Sequence, residues 1–311
     1  MFIVIDGGTT NTRLNLVENK VIIDTVKLSI GARTGIDDNK LLKVSIRNGI
    51  KTLLDRNNLC EKDISKILAS GMITSKYGLL ELEHITAPAG LKELHNTMKE
   101  IVIKDVSTIP FVFVRGVKLG SLNYETADMM RGEETELMGI MGEEQEDCAY
   151  ILPGSHSKII IVDNKKKIVD FKTMLSGEMA AAISQNTILK DAVNLSTEDF
   201  CKEYLIKGYN YTEKNGINDA LFKVRVIKNL FGASDIQCYS FYMGAVLHDE
   251  INAVSKLKQN KIIIGGRKQL RVIMYFLLRE ITEKNIILLD DMTVDNAVVN
   301  GIIKIYNGFA E

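Results

Sequence analysis

The chain has 311 residues, 46% of them hydrophobic and 25% charged, with a formal net charge of −1. That length exceeds what one hydrophobic core usually supports, so a globular chain of this kind is expected to form two domains. The balanced charge argues against a general nucleic-acid binder, and apolar runs such as VIMYFLL are too short to cross a bilayer.

In chain order, FIVID (2–6) reads as a strand from its β-branched content. RLNLV alternates apolar and polar residues, and VIIDTVKL follows the short turn ENK. The stretch LLKVSIRNGIKTLLDRNN places Leu42, Ile46, Ile50, Leu53 and Leu54 on one helical face. KILAS is a strand, GLKELHNTMKEI a helix and PFVFV a strand. The second half repeats this order. AYILPGS, KIIIV and KIVDFKTM supply three strands, helices are expected over 176–188 and 235–256, and KIIIGG is a strand. RKQLRVIMYFLLREI is a helix, NIILL a strand, and a last helix spans 293–308. Residues 190–232 read as extra helices inserted into the second copy. Cys60, Cys148, Cys201 and Cys238 lack metal-binding or disulfide spacing and are expected as buried thiols of a cytoplasmic protein. No basic segment followed by an apolar one opens the chain, which agrees with that location.

Two segments match in kind. IDGGTTNTRLNLVENKVI and ILPGSHSKIIIVDNKKKI each run strand, glycine, hydroxyl residue, Arg or Lys, strand, turn, strand. Gly8 falls on Gly154, Thr9 on Ser155 and Asn19 on Asn164, so a whole domain is repeated. Glycine-rich turns expose backbone N–H groups that hold anions, and Thr9, Thr10, Ser155 and Ser157 add hydroxyl donors. Asp6 cannot hold a phosphate, but it can hold Mg²⁺, which takes few carboxylates and keeps its waters. A plain turn would explain the first glycine pair by itself; its recurrence at Gly154 favours a nucleotide. Gly265 and Gly266, between a buried strand and a helix, would let an adenine ring lie against the backbone, although a strand-to-helix turn also uses such glycines.

IDGGTTNTRL, LPGSHSK and IIIGGRKQL resemble the two phosphate motifs and the adenosine motif of the actin, hexokinase and Hsp70 superfamily. GMITSKYG, ADMMRGEETELMG, LPGSHSK and MLSGEM, in that order, resemble the 2-dehydro-3-deoxygalactonokinases, and with FYMGAVLHDEI they span the chain nearly end to end. One departure is Gly7, where that family usually carries tryptophan. The resemblance implies two ribonuclease-H-like α/β domains (βββαβαβα, repeated) facing a central nucleotide cleft. The first would comprise 1–115 plus 293–311, and the second 116–292. It implies ATP-dependent phosphorylation of the 6-hydroxyl of a 2-keto-3-deoxy sugar acid, with Mg²⁺. The partners are then ATP and a small sugar acid, with no nucleic acid or membrane and with room for a homodimer. Nucleotide contacts fall on Gly7, Gly8, Thr9, Thr10, Asn11, Arg13, Gly154, Ser155, His156, Ser157, Lys158, Gly265 and Gly266, with the metal at Asp6.

Transfer to a sugar hydroxyl needs a carboxylate to accept its proton. Asp128, Glu133 and Glu134 compete. Residue type favours Asp128 as base, with Glu134 and Arg131 contacting the substrate and Glu133 as a further substrate contact; Asp128 and Glu134 are the catalytic pair, and helix phase could exchange their roles. An acidic first helical turn would by itself explain Glu133 and Glu134. The carboxylate of a 2-keto acid suggests a fork contact from Arg131, although a lone arginine is more often on the surface. Ser70, Met72 and Ser75 follow a strand's C-terminal end, where α/β ligands bind. Ser176 reads as a helix cap, and Gly177 and Glu178 as sugar contacts. His84, His95 and His248 show no metal spacing, and Lys165–Lys167 read as a solvated turn. Alternatives are a kinase of another sugar, sugar acid or pantothenate-like substrate, and a non-catalytic ATP switch like actin or Hsp70.

Overall fold

The computed structural model describes residues 1–36, 39–142 and 146–308. By internal contact it divides into two compact units. Unit 1 is Met1–Glu146 with Val162–Phe171 and Asp291–Glu311; unit 2 is Asp147–Ile161 with Lys172–Asp290. Residues 116–146, expected in the second half, group with the first, and residues 309–311 lie outside the described residues.

Unit 1 opens with β1 (Phe2–Gly7), β2 (Thr12–Glu18) and β3 (Val21–Leu28), then α1 (Lys40–Arg56) and β4 (Lys66–Gly71). Next come β5 (Ile85–Thr86), α2 (Leu91–Asn96), β6 (Lys99–Ile101), β7 (Phe111–Phe113), β8 (Val117–Lys118), β9 (Met129–Met130) and α3 (Glu133–Ile140). The main sheet has the order β3-β2-β1-β4-β7-β6. β1 pairs antiparallel with β2 and parallel with β4, so both β1 and β4 end at the same edge of the sheet. Asn19 and Lys20, both with positive φ, form the two-residue turn between β2 and β3. As its spacing predicts, α1 buries Leu42, Ile46, Ile50, Leu53 and Leu54.

The helix expected over 90–101 ends at Asn96. Thr97 turns its hydroxyl back onto the Glu93 carbonyl (2.7 Å), and Lys99–Ile101 pair with β7 as an edge strand instead. Pairing gives those backbone groups partners that a short exposed helix end would lack. A small sheet of order β5-β8-β9 lay outside the sequence reading altogether.

Unit 2 follows with β10 (Cys148–Leu152), β11 (Ser157–Val162), β12 (Ile168–Met174), α4 (Ser176–Asn186), the inserted α5 (Lys202–Asn215) and α6 (Ile217–Phe231), α7 (Asp235–Val246) and α8 (His248–Ser255). β13 (Lys261–Ile264), α9 (Lys268–Ile281) and β14 (Asn285–Leu288) complete it, before α10 (Asp291–Asp295) and α11 (Ala297–Asn307) return to unit 1. The sheet order is β12-β11-β10-β13-β14, the same winding as β3-β2-β1-β4-β7. The single helix expected over 235–256 is two, parted at Leu247.

Each unit has its own apolar core, one centred on Ile3, Ile5, Leu14 and Phe111, the other on Ile151, Tyr242, Ile262 and Met274. In unit 1, α3 and α11 cross with Gly139 and Gly301 at the contact. A Cβ at either would stand 1.8 Å from a carbonyl of the opposite helix. Among the described residues no helix is long and apolar enough to cross a membrane. None of the four cysteines forms a disulfide; Cys148 and Cys238 are buried as expected, but Cys60 is exposed, its thiol on the Asp63 carboxylate.

Candidate active site

In unit 1 the loop after β1 is a tight turn in which Gly8 N–H donates to the Asn11 carbonyl (2.9 Å). The Gly8 and Thr9 carbonyls are taken by the amides of Ala32 (3.1 Å) and Arg33 (2.9 Å). Thr9, Thr10 and Asn11 are exposed at the tip. Beneath them Asp6, Arg13 and Lys27 stand in one row across β1, β2 and β3, with Ser70 beside Asp6 on β4. Asp6, Thr10, Asn11, Arg13, Lys27 and Ser29 line a pocket of about 470 Å³.

Burial, reinforced by the Glu133 charge, pushes the Asp6 carboxyl above its ordinary pKa despite the Arg13 guanidinium. The Ser70 hydroxyl is buried with no hydrogen-bond partner. Glycines close the floor. Gly71 (φ +84°) lies against the Gly7 carbonyl, and Gly132 (φ +116°) against the Gly71 Cα. A Cβ at Gly7 would stand 2.7 Å from the Ile73 Cβ, so in this chain Ile73 occupies the space that a side chain at position 7 would need.

Gly132 leads into α3. Glu134 is fully buried, and both its oxygens accept the Gly132 N–H (2.9 and 2.8 Å). Burial, then the neighbouring Glu133 charge, raises its pKa to about 8. Glu133 is only half-buried; it accepts the Arg131 N–H (3.0 Å), and its charge reaches both Asp6 and Glu134.

In unit 2 the loop after β10 has the same construction. Gly154 N–H donates to the Ser157 hydroxyl oxygen (3.3 Å), and the Ser155 carbonyl accepts the Glu178 amide (3.0 Å). A Cβ at Gly177 would stand 2.0 Å from the Gly154 carbonyl, as one at Gly31 would stand 2.5 Å from the Gly8 carbonyl. The adenosine-motif turn is bonded to this loop. Gly265 N–H donates to Ile151 O, Arg267 N–H to Pro153 O (2.7 Å), and Gly266, at φ +69°, lies against Pro153. Tyr239, Met243, Arg267, Gln269 and Gly177 line a narrow pocket beside it.

The profile of the 2-keto-3-deoxy-galactonokinase family matches residues 6–305. The chain belongs to that family. A relative from Rhizobium meliloti (strain 1021), named a probable 2-dehydro-3-deoxygalactonokinase, is 26% identical over 198 residues, which cover 62% of this chain and 59% of that protein. The solved structure of a Sinorhizobium meliloti protein, provisionally given the same enzyme name, superposes with a TM-score of 0.78 at 22% identity, covering 100% of this chain and 99% of the other. The activator of the 2-hydroxyisocaproyl-CoA dehydratase from Clostridium difficile, solved with bound ADPNP, has a TM-score of 0.50 at 10% identity, covering 99% and 95%. At these identities the two structures show the shared fold.

The structure places the expected site residues of this 2-keto-3-deoxy-galactonokinase family member unevenly. Asp6 and Arg13 meet in register, and the Glu133 charge falls on Asp6. Asp128 immediately precedes β9, its carbonyl on Leu119 N–H and its carboxylate on its neighbour Met129 N–H; the charges acting on Asp6 are those of Arg13 and Glu133. Arg131 departs from the expected fork. Its two terminal nitrogens bond the Thr74 carbonyl (2.7 Å) and hydroxyl (2.6 Å), the Leu82 carbonyl (2.9 Å) and His84 Nδ1 (3.3 Å). It ties down the segment after β4. His84 is neutral there, its pKa lowered to about 4 by burial and by the charges of Arg131 and Lys118. Met72 and Ser75 form a turn in which the Ser75 hydroxyl donates to Met72 O (2.7 Å).

In unit 2, His156 Nε2 meets Glu178 Oε2 at 2.6 Å, joining the LPGSHSK and MLSGEM motifs. Lys158 is buried and donates to the Thr173 hydroxyl (2.6 Å) rather than reaching the loop surface. Ser176 does not cap α4: Leu175 precedes the helix, and Ser176 is its first, buried residue. His95 bonds Ile305 O, and His248 lies between Glu213 and Asp249. Sequence reasoning passed over Gly31, Lys27, Arg271 and Glu250. Arg271 donates to Gly266 O (2.9 Å) and so holds the adenosine turn. Gly31 could have been found from the repeat, since it follows β3 as Gly177 follows β12.

Proposed function

We propose that this protein transfers the γ-phosphoryl group of ATP to the 6-hydroxyl of 2-dehydro-3-deoxygalactonate. The observation that carries the reading is the pairing of Asp6 with Glu133 under a donor-rich loop, in a chain whose family match runs from the first motif to the last helix. In unit 1 the exposed Thr9, Thr10 and Asn11 are assigned to phosphate, with Arg13 adding charge, and in unit 2 the exposed Ser155 and His156 are assigned likewise. The adenine is assigned to the Gly265–Gly266 end of unit 2.

The residues around Asp6 fit Mg²⁺. A carboxyl forced above its ordinary pKa by burial and a second carboxylate gains from a cation, and the orphaned Ser70 hydroxyl beside it lacks a partner. Among the described residues no group of three or more His, Cys, Asp or Glu could hold a metal, so Asp6 would hold Mg²⁺ with phosphate oxygens and water. When bound, the ion neutralises charge on the transferred phosphoryl group.

Glu133 is assigned as the base that accepts the hydroxyl proton. It stands in the first turn of α3, it is half-buried rather than sealed, and its charge is felt at Asp6. Glu134, with both oxygens on Gly132 N–H, fixes the start of α3. Met72, Ser75 and Glu178 remain assigned to the sugar acid, and the exposed Lys27 is assigned to its carboxylate because the Arg131 fork is engaged elsewhere. The enzyme is assigned to the cytoplasm on the family's character.

ADP release tests this with 2-dehydro-3-deoxygalactonate, with its gluconate epimer and with no sugar acid. Strong dependence on the galactonate form is expected. ADP release that ignores every sugar acid would instead favour an ATP switch.

A further inference from the structure

Glu250 is fully buried on α8, and neither carboxyl oxygen has a hydrogen-bond partner. An unpaired buried carboxyl costs free energy, so a fold that keeps one without use is disfavoured. No step assigned above needs it. Lys158 donates to Thr173 and Arg271 to Gly266 O, and neither hydrogen-bonds the Glu250 carboxyl. On α8 itself, His248 bonds Glu213 and Asp249.

Two hydroxyls face the Glu250 carboxyl without closing to hydrogen-bonding geometry, those of Ser176 and Ser157. Both are buried, at 6% and 0% exposure. Ser157 is the first residue of β11, and its oxygen already accepts the Gly154 N–H at 3.3 Å. Its own O–H proton is therefore directed to another acceptor. Ser176 opens α4, one residue before Gly177, which packs on the Gly154 carbonyl. Glu250 thus lies beneath the second glycine loop, between its exit strand and the helix that braces it. Burial pushes the carboxyl's pKa up, and a protonated carboxyl both donates and accepts, which suits two hydroxyls at once.

We propose that Glu250 is a positioning residue for the phosphates of ATP: through Ser157 and Ser176 it sets the aim of the second loop at Ser155 and His156. This rests on the reading of that loop as a phosphate site. Gly154 N–H reaches the Ser157 hydroxyl, and the Ser157 and Ser176 hydroxyls face the Glu250 carboxyl from two elements without a closed hydrogen bond. Removing the carboxyl takes away the polar group that both hydroxyls face, so they turn and the loop loses its fixed aim.

The test compares the full chain with Glu250→Leu, Glu250→Gln, Ser176→Ala and the double variant Glu250→Leu/Ser157→Ala. Readouts are the Kd for ATP by calorimetry, KM for ATP and for sugar acid, kcat, and the melting temperature. Glu250→Leu should raise the Kd and KM for ATP about tenfold (roughly 1.4 kcal/mol in binding), with kcat and the sugar-acid KM within about threefold. Glu250→Gln, which still donates and accepts, should restore most of the ATP affinity. The double variant should be no worse than Glu250→Leu alone, because the two groups act as one chain. A folded Glu250→Leu with the parent's ATP affinity overturns the inference, as does a double variant that binds ATP clearly more weakly than Glu250→Leu. If Glu250→Leu does not fold, Ser176→Ala decides: an unchanged Kd for ATP overturns the inference. Failure of the parent chain to bind ATP would overturn the functional reading and this inference together, whereas tight ATP binding unmoved by every variant overturns this inference alone.

Discussion

The loop at 7–12 and the loop at 153–157 share a plan. Each begins at the end of a central strand, each has a glycine amide bonded three residues on, and each is backed by a glycine three residues after the third strand. They differ in what lies beneath them. In unit 1 the Gly8 and Thr9 carbonyls take two backbone amides, and the ionisable groups Asp6, Arg13 and Glu133 interact beneath the loop. In unit 2 the Ser155 and Pro153 carbonyls likewise take two backbone amides, of Glu178 and of Arg267 in the adenosine turn, but buried Ser157, Ser176 and Glu250 lie beneath the loop. In the proposed function the same scaffold serves chemistry in one copy and nucleotide grip in the other. A repeat preserves backbone geometry, while side chains below the loop set what it does.

The comparison breaks most readily at the carboxylates. Glu133→Gln should lower kcat by about 10²–10⁴-fold at saturating substrates, with Asp128→Asn close to the parent. Asp6→Asn should lose turnover with the fold intact. If Asp128→Asn loses kcat and Glu133→Gln does not, the chemical role given to the floor of the first loop is misplaced.

The backing glycines come next. Gly31→Ala and Gly177→Ala each insert a methyl against a loop carbonyl 2.5 and 2.0 Å away. Each should cost about 1–3 kcal/mol in stability and raise KM for ATP. Thermal melts and ATP titrations would separate the loops if only one variant responded.

Buried acids sharpen the contrast by pH. The Glu134 pKa is raised from 4.5 to about 8, so between those values the folded state holds a proton that the unfolded chain has released. Stability from this group therefore falls as pH rises from about 4.5 to about 8. In Glu134→Gln the melting temperature should decline less over that window. An unchanged slope would mean the carboxyl titrates normally.

The smallest effect is expected at the exposed His156–Glu178 pair, 46% and 61% accessible. Glu178→Gln should shift stability by less than about 1 kcal/mol. If it also leaves the sugar-acid KM unchanged, Glu178 is neither a stabilising partner nor a substrate contact.

Much of the fold was legible. β-Branched content marked β1, short apolar runs marked β10 and β13, and the i, i+4 spacing of Leu42, Ile46 and Ile50 marked α1, because burial follows backbone period. The residues 99–101 were misread because helix pattern and edge-strand pattern coincide over so short a stretch, and pairing with β7 decided between them. At the site, Asp6 and the glycine loops could be read from type and order. The difference between Glu133 and Glu134 could not: adjacent glutamates look alike until one is sealed against Gly132 N–H. Arg131 looked available because its partners, Leu82 and His84, lie 49 and 47 residues away.

By itself the sequence determined the repeated order of strands and helices and the two glycine loops, because both depend on local period and on which residues tolerate tight turns. Only the tertiary structure decided which polar groups are buried, paired or left without a partner. Glu134, Arg131 and Glu250 acquire their states from neighbours brought together by packing, and desolvation depends on those neighbours rather than on the residue alone.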